Sequence, residues 1–494
     1  MFEDTTKEYS SHFPELQYTT WPSGQLASIA GFGTYRIGRQ DPEHQISLMK
    51  ALMSGINVID TSANYSDGES ERAIGEVLKH IKHDIKRSDL IVISKLGYIE
   101  GESFTRSEQR KAEQNPYPEA IELEQGSEYC IHPECLEEQL IGSLKRLQID
   151  YLDVLLIHNP EMFLMQKQLL EGKSLEEIRD MFYKKISKAF EWLESAVEKG
   201  LIRSYGISSN TFPLSADHPH TCSLEQCLNI AENIKKDHHF HVIQFPFNLI
   251  ETEAATELNQ EDESLTLIEY AEAHDIVCLV NRPLNAIRNN TLIRLTDNGF
   301  QDGIDEQALI EDIYQIAMAS DTFVRNIDIL PYDQKDRDLL VDFITSVAEL
   351  QTKWRNFSSM EEWHTYRNMM LSSMALGLSA INKLQDESMI KWSMNMAKQL
   401  ASITNTINRY NVVKFDKMAQ RNVYIHSVLE KAFPGKFTGQ PLSQIAFNAA
   451  RTVKGISSVL IGARNQLYID DVLEAMQKNI PVLDRVDWMG MKLH

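Results

Sequence analysis

The sequence alternates between two kinds of segment from about Gly31 to Gln244. Short runs rich in β-branched residues, such as Tyr151–Ile157, are followed by longer runs whose apolar residues recur every three or four positions, such as Leu175–Lys199. Strands that regularly alternate with helices form a parallel sheet with helical crossovers, either as a closed barrel or as a doubly wound sheet. The alternation therefore predicts one of these two α/β architectures.

Eight strand-like segments are present when the last part of the chain is included. The predicted strands are Ala30–Tyr35, Asn57–Ser62, Leu90–Ser94, Tyr151–Ile157, Ser204–Ser208, Val242–Phe245, Ile276–Val280 and Ile456–Ile461. The last of them lies between two helix-like segments, Leu442–Thr452 and Ile469–Gln477. This set of eight is the number that a TIM barrel requires.

The glycines near the first strand do not support the doubly wound alternative. Gly31–Gly38 contains a Gly-x-Gly, but the third glycine comes too late for a Rossmann fingerprint and no acidic residue follows at the expected place after a second strand. We therefore expect an α/β fold of the (β/α)8 TIM barrel type, with a large, mostly helical insertion after the seventh strand.

The insertion is predicted at 286–439, and the barrel at 1–285 and 440–494. Within the insertion two sets of apolar residues recur at helical spacing. They are Leu340, Phe343, Val347, Leu350 and Trp354, and Met389, Trp392, Met396, Leu400, Ile403 and Ile407. Such stripes are typical of a bundle core. Because loops after barrel strands lie at the catalytic mouth, the insertion is also a candidate lid or protein-partner surface. Glu100–Glu128 is interpreted as a long, solvated polar loop.

Composition and charge limit the partners. Of 494 residues, 71 are acidic and 49 basic, giving a formal net charge of −22, which repels nucleic acid and anionic bilayers. The polar start, Met1–Ser11, is unlike a signal peptide, and no apolar run approaches a membrane span. We expect a cytoplasmic protein that acts on a small molecule and binds neither nucleic acid nor membrane.

The chain has five cysteines, which is an odd number and too few for a disulfide framework. They are Cys130, Cys135, Cys222, Cys227 and Cys278. Two pairs have a Cys-x4-Cys spacing, but this is not the spacing of a tight zinc knuckle and the pairs lie in unrelated segments. We interpret them as ordinary thiols, as expected in a reducing compartment, and predict no metal.

Four polar residues follow three successive strands: Asp60, Tyr65, Lys95 and His158. In a parallel barrel these strand ends open on one face. A tyrosine has a pKa near 10, too high for an efficient proton donor unless a cation stabilises its anion. Lys95 supplies that cation, Asp60 would keep the amine charged, and His158 could orient a carbonyl. Each residue alone has a structural explanation, but four at successive strand ends favour catalysis.

Several segments, in the same order along the chain, resemble the signature stretches of the aldo/keto reductase family. They are Gly31–Tyr35, Gly55–Tyr65, Ser70–Gly75, Ile93–Lys95, Leu140–Leu147, Tyr151–His158 and Tyr205–Asn210. The resemblance covers roughly residues 25–286 and 440–480. It implies NAD(P)(H)-dependent carbonyl reduction in a (β/α)8 barrel, with Tyr65 as the acid, Lys95 and Asp60 tuning it, and His158 orienting the substrate.

The same resemblance implies where the cofactor binds. Asn210, together with Ser209 or Ser208, and Gln244 would hydrogen-bond the nicotinamide carboxamide. The other implied cofactor residues are Gly33 and Thr34 in the first strand, Arg282 and Leu284 in Asn281–Asn285, and Gly462 and Arg464 before the last helix. Arg464 suits a 2'-phosphate through paired hydrogen bonds, which favours NADPH over NADH.

The sequence thus predicts an NADPH-dependent oxidoreductase that reduces the carbonyl of small aldehydes or ketones, or oxidises the matching alcohol or sugar. The alternative is a reductase-like regulatory or scaffold protein that keeps the cofactor site and binds a partner through its helical insertion. The complete set of four residues favours the enzyme, because a scaffold gains nothing from keeping Tyr65 and Lys95.

Overall fold

A computed structural model describes residues 5–124, 126–166, 171–288, 291–297, 306–327, 331–383, 387–415, 417–478, 480 and 482–491. Its centre is a closed barrel of eight parallel strands, each paired with its neighbours in chain order and the last with the first. The strands are β1 (Ala30–Gly33), β2 (Val58–Asp60), β3 (Ile91–Leu96), β4 (Leu152–His158), β5 (Ile202–Ser208), β6 (Phe240–Pro246), β7 (Val277–Asn281) and β8 (Ile456–Gly462). The predicted barrel is confirmed.

A helix follows each barrel strand. After β7 the chain first forms the helices of the insertion and then the helix that belongs to this strand, Leu442–Arg451. The helices are α1 (Pro42–Met53), α2 (Glu69–Ile81), α3 (Pro133–Leu147), α4 (Leu175–Glu198), α5 (Leu224–Ile234), α6 (Leu267–Ala273), α7 (Glu306–Asn326), α8 (Gln334–Lys353), α9 (Met360–Lys383), α10 (Glu387–Phe415), α11 (Lys417–Ala432), α12 (Leu442–Arg451) and α13 (Gln466–Gln477). Local signals start several of them: at α4 the Ser174 side chain accepts from the Glu177 N–H while the Glu177 carboxylate accepts from the Ser174 N–H.

Several shorter elements surround the barrel. They are the helices Thr6–Ser11, Gly101–Ala112, Glu253–Thr256 and Arg485–Gly490, the 3₁₀ turns Tyr65–Gly68, Arg87–Asp89 and Pro160–Met162, and the strands Tyr18–Thr20, Leu26–Ser28, Tyr98–Ile99, Ile121–Glu124, Ser127–Tyr129, Leu258–Gln260, Leu265–Thr266, Asn285–Arg288 and Thr291–Arg294.

The barrel interior is closed by apolar side chains at its amino-terminal end. Val58 and Ile91, at the start of β2 and β3, belong to one buried cluster with Trp21, which lies in the hairpin formed by Tyr18–Thr20 and Leu26–Ser28. Trp21 is 4% exposed. Since the hairpin plugs this end, the polar residues at the carboxyl ends of the strands face the other, open end, as in other barrels of this kind.

The segment after β3 is not the solvated loop that the sequence predicts. It folds into the helix Gly101–Ala112 and a small antiparallel sheet. Ile99, Tyr117, Cys130 and Cys135 form a buried core beneath it. The prediction was wrong because so few apolar residues, widely separated in the sequence, produce no recognisable periodicity.

The insertion contains a compact unit of its own, Thr296–Ser427, while residues up to Leu295 and from Val428 belong with the barrel. Residues of both predicted stripes are buried in the cores of this helical unit. The stretch directly after β7 is a hairpin, Asn285–Arg288 with Thr291–Arg294, where the sequence predicts helix. Residues 289–290, 298–305, 328–330, 384–386 and 416 of the predicted insertion lie outside the described residues.

Candidate active site

Three strands and one turn bring the four predicted catalytic residues together. Asp60 ends β2, Lys95 lies near the end of β3 and His158 ends β4. Tyr65 begins the 3₁₀ turn Tyr65–Gly68, which leads into α2. Because all these strands are parallel neighbours, their carboxyl ends lie side by side. The arrangement predicted from the order of the strands is present.

Lys95 forms the centre of the site. Its Nζ donates to the Asp60 Oδ2 at 2.7 Å, to the Thr61 carbonyl at 2.9 Å and to the Tyr65 hydroxyl at 3.3 Å. The Lys95 side chain is fully buried and Asp60 is 4% exposed. Three acceptors therefore satisfy the three N–H donors of a charged amine, which is the form that a buried lysine keeps only when it is paired.

The charges of this cluster shift its pKa values. Burial lowers the pKa of Lys95, but attraction to Asp60 and Tyr65 outweighs it and raises that pKa above its ordinary value. Burial raises the pKa of Tyr65, and the positive charge of Lys95 offsets this only in part. Tyr65 is therefore protonated at neutral pH, as a proton donor must be, next to a cation that stabilises its anion.

Gln244, on β6, hydrogen-bonds Asp60 and the last residues of the two neighbouring strands, β5 and β7. Its Nε2 donates to the Asp60 Oδ1 at 2.7 Å. Its Oε1 accepts from the Ser208 hydroxyl at 3.2 Å and from the Asn281 amide at 3.3 Å. Both Asp60 carboxylate oxygens are thus hydrogen-bonded. The sequence predicts that Gln244 meets the nicotinamide; in this structure its partners are Asp60, Ser208 and Asn281.

His158 lies among aromatic rings and is neutral. Its Nδ1 is 3.1 Å from the Ser62 hydroxyl. The Tyr98 and Tyr65 rings contact it edge-on, with centroids 5.0 and 5.9 Å away. Burial, with the charge of Lys95, holds the pKa of His158 well below its usual range. The Ser62 hydroxyl also donates to the Asn64 Oδ1 at 2.7 Å, so this contact alone does not fix which ring nitrogen carries the proton of the neutral imidazole. The tautomer with its proton on Nε2 is the one that can donate to a carbonyl oxygen.

The predicted cofactor residues of the first and last strands lie at the same end of the barrel. Gly33 and Gly462 end the paired strands β1 and β8. Thr34 is buried and donates its hydroxyl to the Asp60 carbonyl at 3.0 Å. Arg464 is exposed just before α13, and among the described residues it has no hydrogen-bond or ion-pair partner.

The predicted residues after β5 and β7 are also at this end. Ser209 is buried and its hydroxyl contacts that of Thr211 at 3.0 Å, whereas the Asn210 side chain is exposed. Arg282 has a positive φ of 53° and pairs with Glu251 at 2.6 Å. The Leu284 carbonyl accepts from the Leu295 N–H at 2.9 Å, so it closes the hairpin.

Two buried polar atoms at the end of β7, the Asn281 Oδ1 and the Arg282 Nε, have no hydrogen-bond partner in the part of the chain that the structure describes. Buried polar groups are normally hydrogen-bonded, and an exception calls for an absent partner. An acceptor and a guanidinium N–H at the end of β7, with the exposed Arg464 just after the adjacent strand β8, fit a ligand that carries amide and phosphate groups. The residues present therefore fit a nicotinamide dinucleotide.

Sequence reasoning missed four residues of this site: Ser62, Tyr98, Glu161 and Asn281. Ser62 and Glu161 lie within three residues of Asp60 and His158, so a search of the residues flanking each strand end would have included them. Tyr98 lies in the short strand Tyr98–Ile99 after β3, just before the segment that the sequence predicts as a loop. Nothing in the sequence shows that the Asn281 side chain reaches Gln244.

The sequence predicts ordinary thiols for the cysteines and no metal site. The five cysteines are buried and free, and the Sγ atoms of Cys222 and Cys227 are 3.9 Å apart. Over the described ranges, no three histidine, cysteine, aspartate or glutamate side chains converge as metal ligands. Within those ranges, too, none of the helices combines the length and apolar character that a membrane crossing needs.

Two solved structures are similar over most of the chain. An aldo-keto reductase from Bacillus halodurans, in its holo form, aligns over 96% of this chain and 96% of its own, with 14% identity and a TM-score of 0.45. The glycerol dehydrogenase of Gluconobacter oxydans aligns over 93% of this chain and 89% of its own, with 15% identity and a TM-score of 0.44. At these values the family assignment rests on sequence.

The curated relatives share part of the sequence. The NADH-specific methylglyoxal reductase of Escherichia coli (strain K12) is 30% identical over 142 residues, covering 26% of this chain and 38% of that protein. The NAD(P)H-dependent 6'-deoxychalcone synthase of Glycine max is 25% identical over 274 residues, covering 53% and 75%. Several other relatives are matched over less than half of their length.

The sequence pattern of one family covers more than half of the chain. The match to the Aldo/keto reductase family extends over residues 30–298, from β1 to just beyond the hairpin after β7. It includes the strands that carry Asp60, Lys95, His158 and Gln244. The chain belongs to the aldo/keto reductase family.

Proposed function

We propose that this protein is an NADPH-dependent oxidoreductase that reduces the carbonyl of small aldehydes or ketones, or oxidises the matching alcohol or sugar. The observation that carries the proposal is the buried chain of contacts from the Tyr65 hydroxyl to Lys95, at 3.3 Å, and from Lys95 to Asp60, at 2.7 Å. This chain places a protonated phenol beside a fixed positive charge at the open end of the barrel.

In the proposed mechanism Tyr65 is the general acid. NADPH, when bound, supplies a hydride to the carbonyl carbon. The mechanism requires the neutral His158 tautomer with its proton on Nε2, which donates to the carbonyl oxygen and orients it. Tyr65 gives its proton to the same oxygen as negative charge develops there, and Lys95 stabilises the phenolate that remains. Asp60 keeps the amine charged, and Gln244 holds the second Asp60 oxygen.

The named activities of the relatives support this class of reaction. One is an NADH-specific methylglyoxal reductase and another an NAD(P)H-dependent synthase. The regulatory or scaffold alternative is not favoured, because no feature of the described site departs from what an oxidoreductase needs. The free thiols support the proposed cytoplasmic location.

The cofactor preference is proposed from Arg464. Arg464→Gln is expected to weaken NADPH binding about thirtyfold, because it removes charge-assisted hydrogen bonds worth about 2 kcal/mol. NADH lacks the 2'-phosphate, so its binding should not change. Titrations of cofactor fluorescence give both dissociation constants. Lys454→Gln, which removes a charge from the segment before β8, is the matched control. Equal weakening of NADPH and NADH would contradict a role in phosphate recognition.

Purified protein with NADPH and a reactive aldehyde, such as a nitrobenzaldehyde, tests the activity itself. We expect NADPH absorbance to fall only when the aldehyde is present. Cofactor fluorescence in the same samples shows binding separately from turnover. Binding without turnover over a panel of aldehydes and ketones would count against the proposed reaction.

A further inference from the structure

A second buried acid lies three residues after His158. Glu161 is 1% exposed and sits in the 3₁₀ turn Pro160–Met162. The turn follows Asn159, whose φ of 52° reverses the chain direction away from β4. The proposed mechanism makes no use of this carboxyl group, although burying one costs several kcal/mol unless it is paired.

The two oxygens of the Glu161 carboxyl differ in their surroundings. Oε1 accepts from the Asn210 backbone N–H at 2.9 Å, whereas no group among the described residues meets Oε2 with hydrogen-bond geometry. In the part of the chain that the structure describes, no lysine, arginine or histidine lies within ion-pair distance of it. Asp60, by contrast, has Lys95. Glu161 is therefore a buried acid without a counter-ion.

The groups around Glu161 are weak acids. Tyr98 and Tyr129 approach it from the segment after β3, and Cys222 from the segment before α5. A negative charge on Glu161 adds to burial in raising the pKa of each of them, so all three are neutral at neutral pH. Burial raises the pKa of Glu161 to about 7, even though hydrogen bonding from its own backbone, from Asn210 and from the Ser209 side chain lowers it. At neutral pH the carboxyl thus exists in both protonation states.

Asn159, directly before the turn that carries Glu161, connects Asn210 with Tyr98. The Asn159 Oδ1 accepts from the Asn210 Nδ2 at 3.2 Å, and its Nδ2 donates to the Tyr98 hydroxyl at 3.1 Å. The Tyr98 ring in turn packs against His158. Asn210 is therefore held by Asn159 and by Glu161, at a fixed place relative to the strand end that carries His158.

We propose that Glu161 is a positioning residue of the nicotinamide site: its carboxyl holds Asn210 in place, and its ionised form favours the oxidised over the reduced cofactor. The inference rests on the proposed function, in which Asn210 meets the nicotinamide carboxamide. The oxidised nicotinamide ring carries one positive charge and the reduced ring carries none. A carboxylate in a medium of low dielectric, without a cation of its own, attracts only the oxidised ring.

The test is the ratio of NADP⁺ to NADPH affinity as a function of pH, measured by isothermal titration calorimetry without any substrate. We expect the ratio to shift toward NADP⁺ by about tenfold between about pH 6 and about pH 8.5, since an interaction of one pKa unit is a factor of ten. The 2'-phosphate also titrates near pH 6, but it is common to both cofactors and cancels in the ratio.

Glu161→Gln keeps an oxygen that accepts from Asn210 but cannot ionise. In this variant the ratio of NADP⁺ to NADPH affinity should therefore not change with pH. Glu194→Gln is the matched control, because the Glu194 Oε1 also accepts a backbone N–H, that of His239 at 2.7 Å, just before β6 at the amino-terminal end of the barrel. It should retain the wild-type slope.

Each result decides the proposal. A flat ratio in the wild type, or an unchanged slope in Glu161→Gln, overturns the role of Glu161 and leaves the proposed reductase intact if both cofactors bind. Failure to bind either cofactor at any pH overturns the proposed function, and this inference with it.

Discussion

Tyr65→Phe is expected to reduce kcat for carbonyl reduction about a thousandfold, within the range that general acid catalysis contributes. The variant removes the hydroxyl that lies 3.3 Å from the Lys95 amine and leaves the ring among its aromatic neighbours. No other phenol contacts Lys95 among the described residues. NADPH consumption, compared with NADPH binding in the same preparation, measures the effect.

Tyr35→Phe is the matched control. Tyr35 lies beside Tyr65, with ring centroids 5.3 Å apart, but its side chain is exposed and far less enclosed. Its variant should keep kcat within about threefold of the wild type, since no proton transfer is assigned to it. If Tyr65→Phe kept most of its turnover, Tyr65 would not be the acid and His158 would be the next candidate.

Lys95→Met should lower the stability of the barrel by about 3 kcal/mol as well as abolish turnover. The substitution leaves the Asp60 carboxylate buried without its cation, and breaking a buried pair on one side typically costs about 3–5 kcal/mol. The remaining partner of Asp60 is the Gln244 amide. The midpoint of urea unfolding, followed by circular dichroism, measures the loss.

A double variant separates the two effects of this change. Asp60→Asn with Lys95→Met removes both charges, so most of the lost stability should return, whereas turnover should not. An Asp60–Lys95 pair that serves structure alone would give a stable and active double variant. A single variant as stable as the wild type would show that the Asp60 charge is not enclosed as the structure places it.

Strand positions could be predicted from the sequence because each barrel strand is a short, almost continuous apolar run. β4 is predicted at Tyr151–Ile157 and lies at Leu152–His158. β8 is predicted at Ile456–Ile461 and lies at Ile456–Gly462. The order of strands in a parallel barrel then fixes which strand ends are neighbours. This is why Asp60, Lys95 and His158 could be placed together before any distance was known.

Other features depend on contacts that leave no pattern in the sequence. The segment after β3 is stabilised by a few apolar residues and by ion pairs such as that of Arg106 with Glu138, at 2.8 Å. The partners of Gln244 and the isolation of Glu161 follow from side-chain directions across strands. The role of the helical insertion as a lid or partner surface stays a prediction, since its apolar stripes are occupied by its own core.

The central claim is that NADPH passes its hydride directly to a carbonyl held at this site. NADPH carrying deuterium at the transferable position of its nicotinamide ring, incubated with a nitrobenzaldehyde, tests this most directly. The wild type should form an alcohol with one deuterium on the former carbonyl carbon, and Tyr65→Phe should form it about a thousandfold more slowly. An alcohol without deuterium, or equal deuterium transfer by both proteins, would contradict this claim.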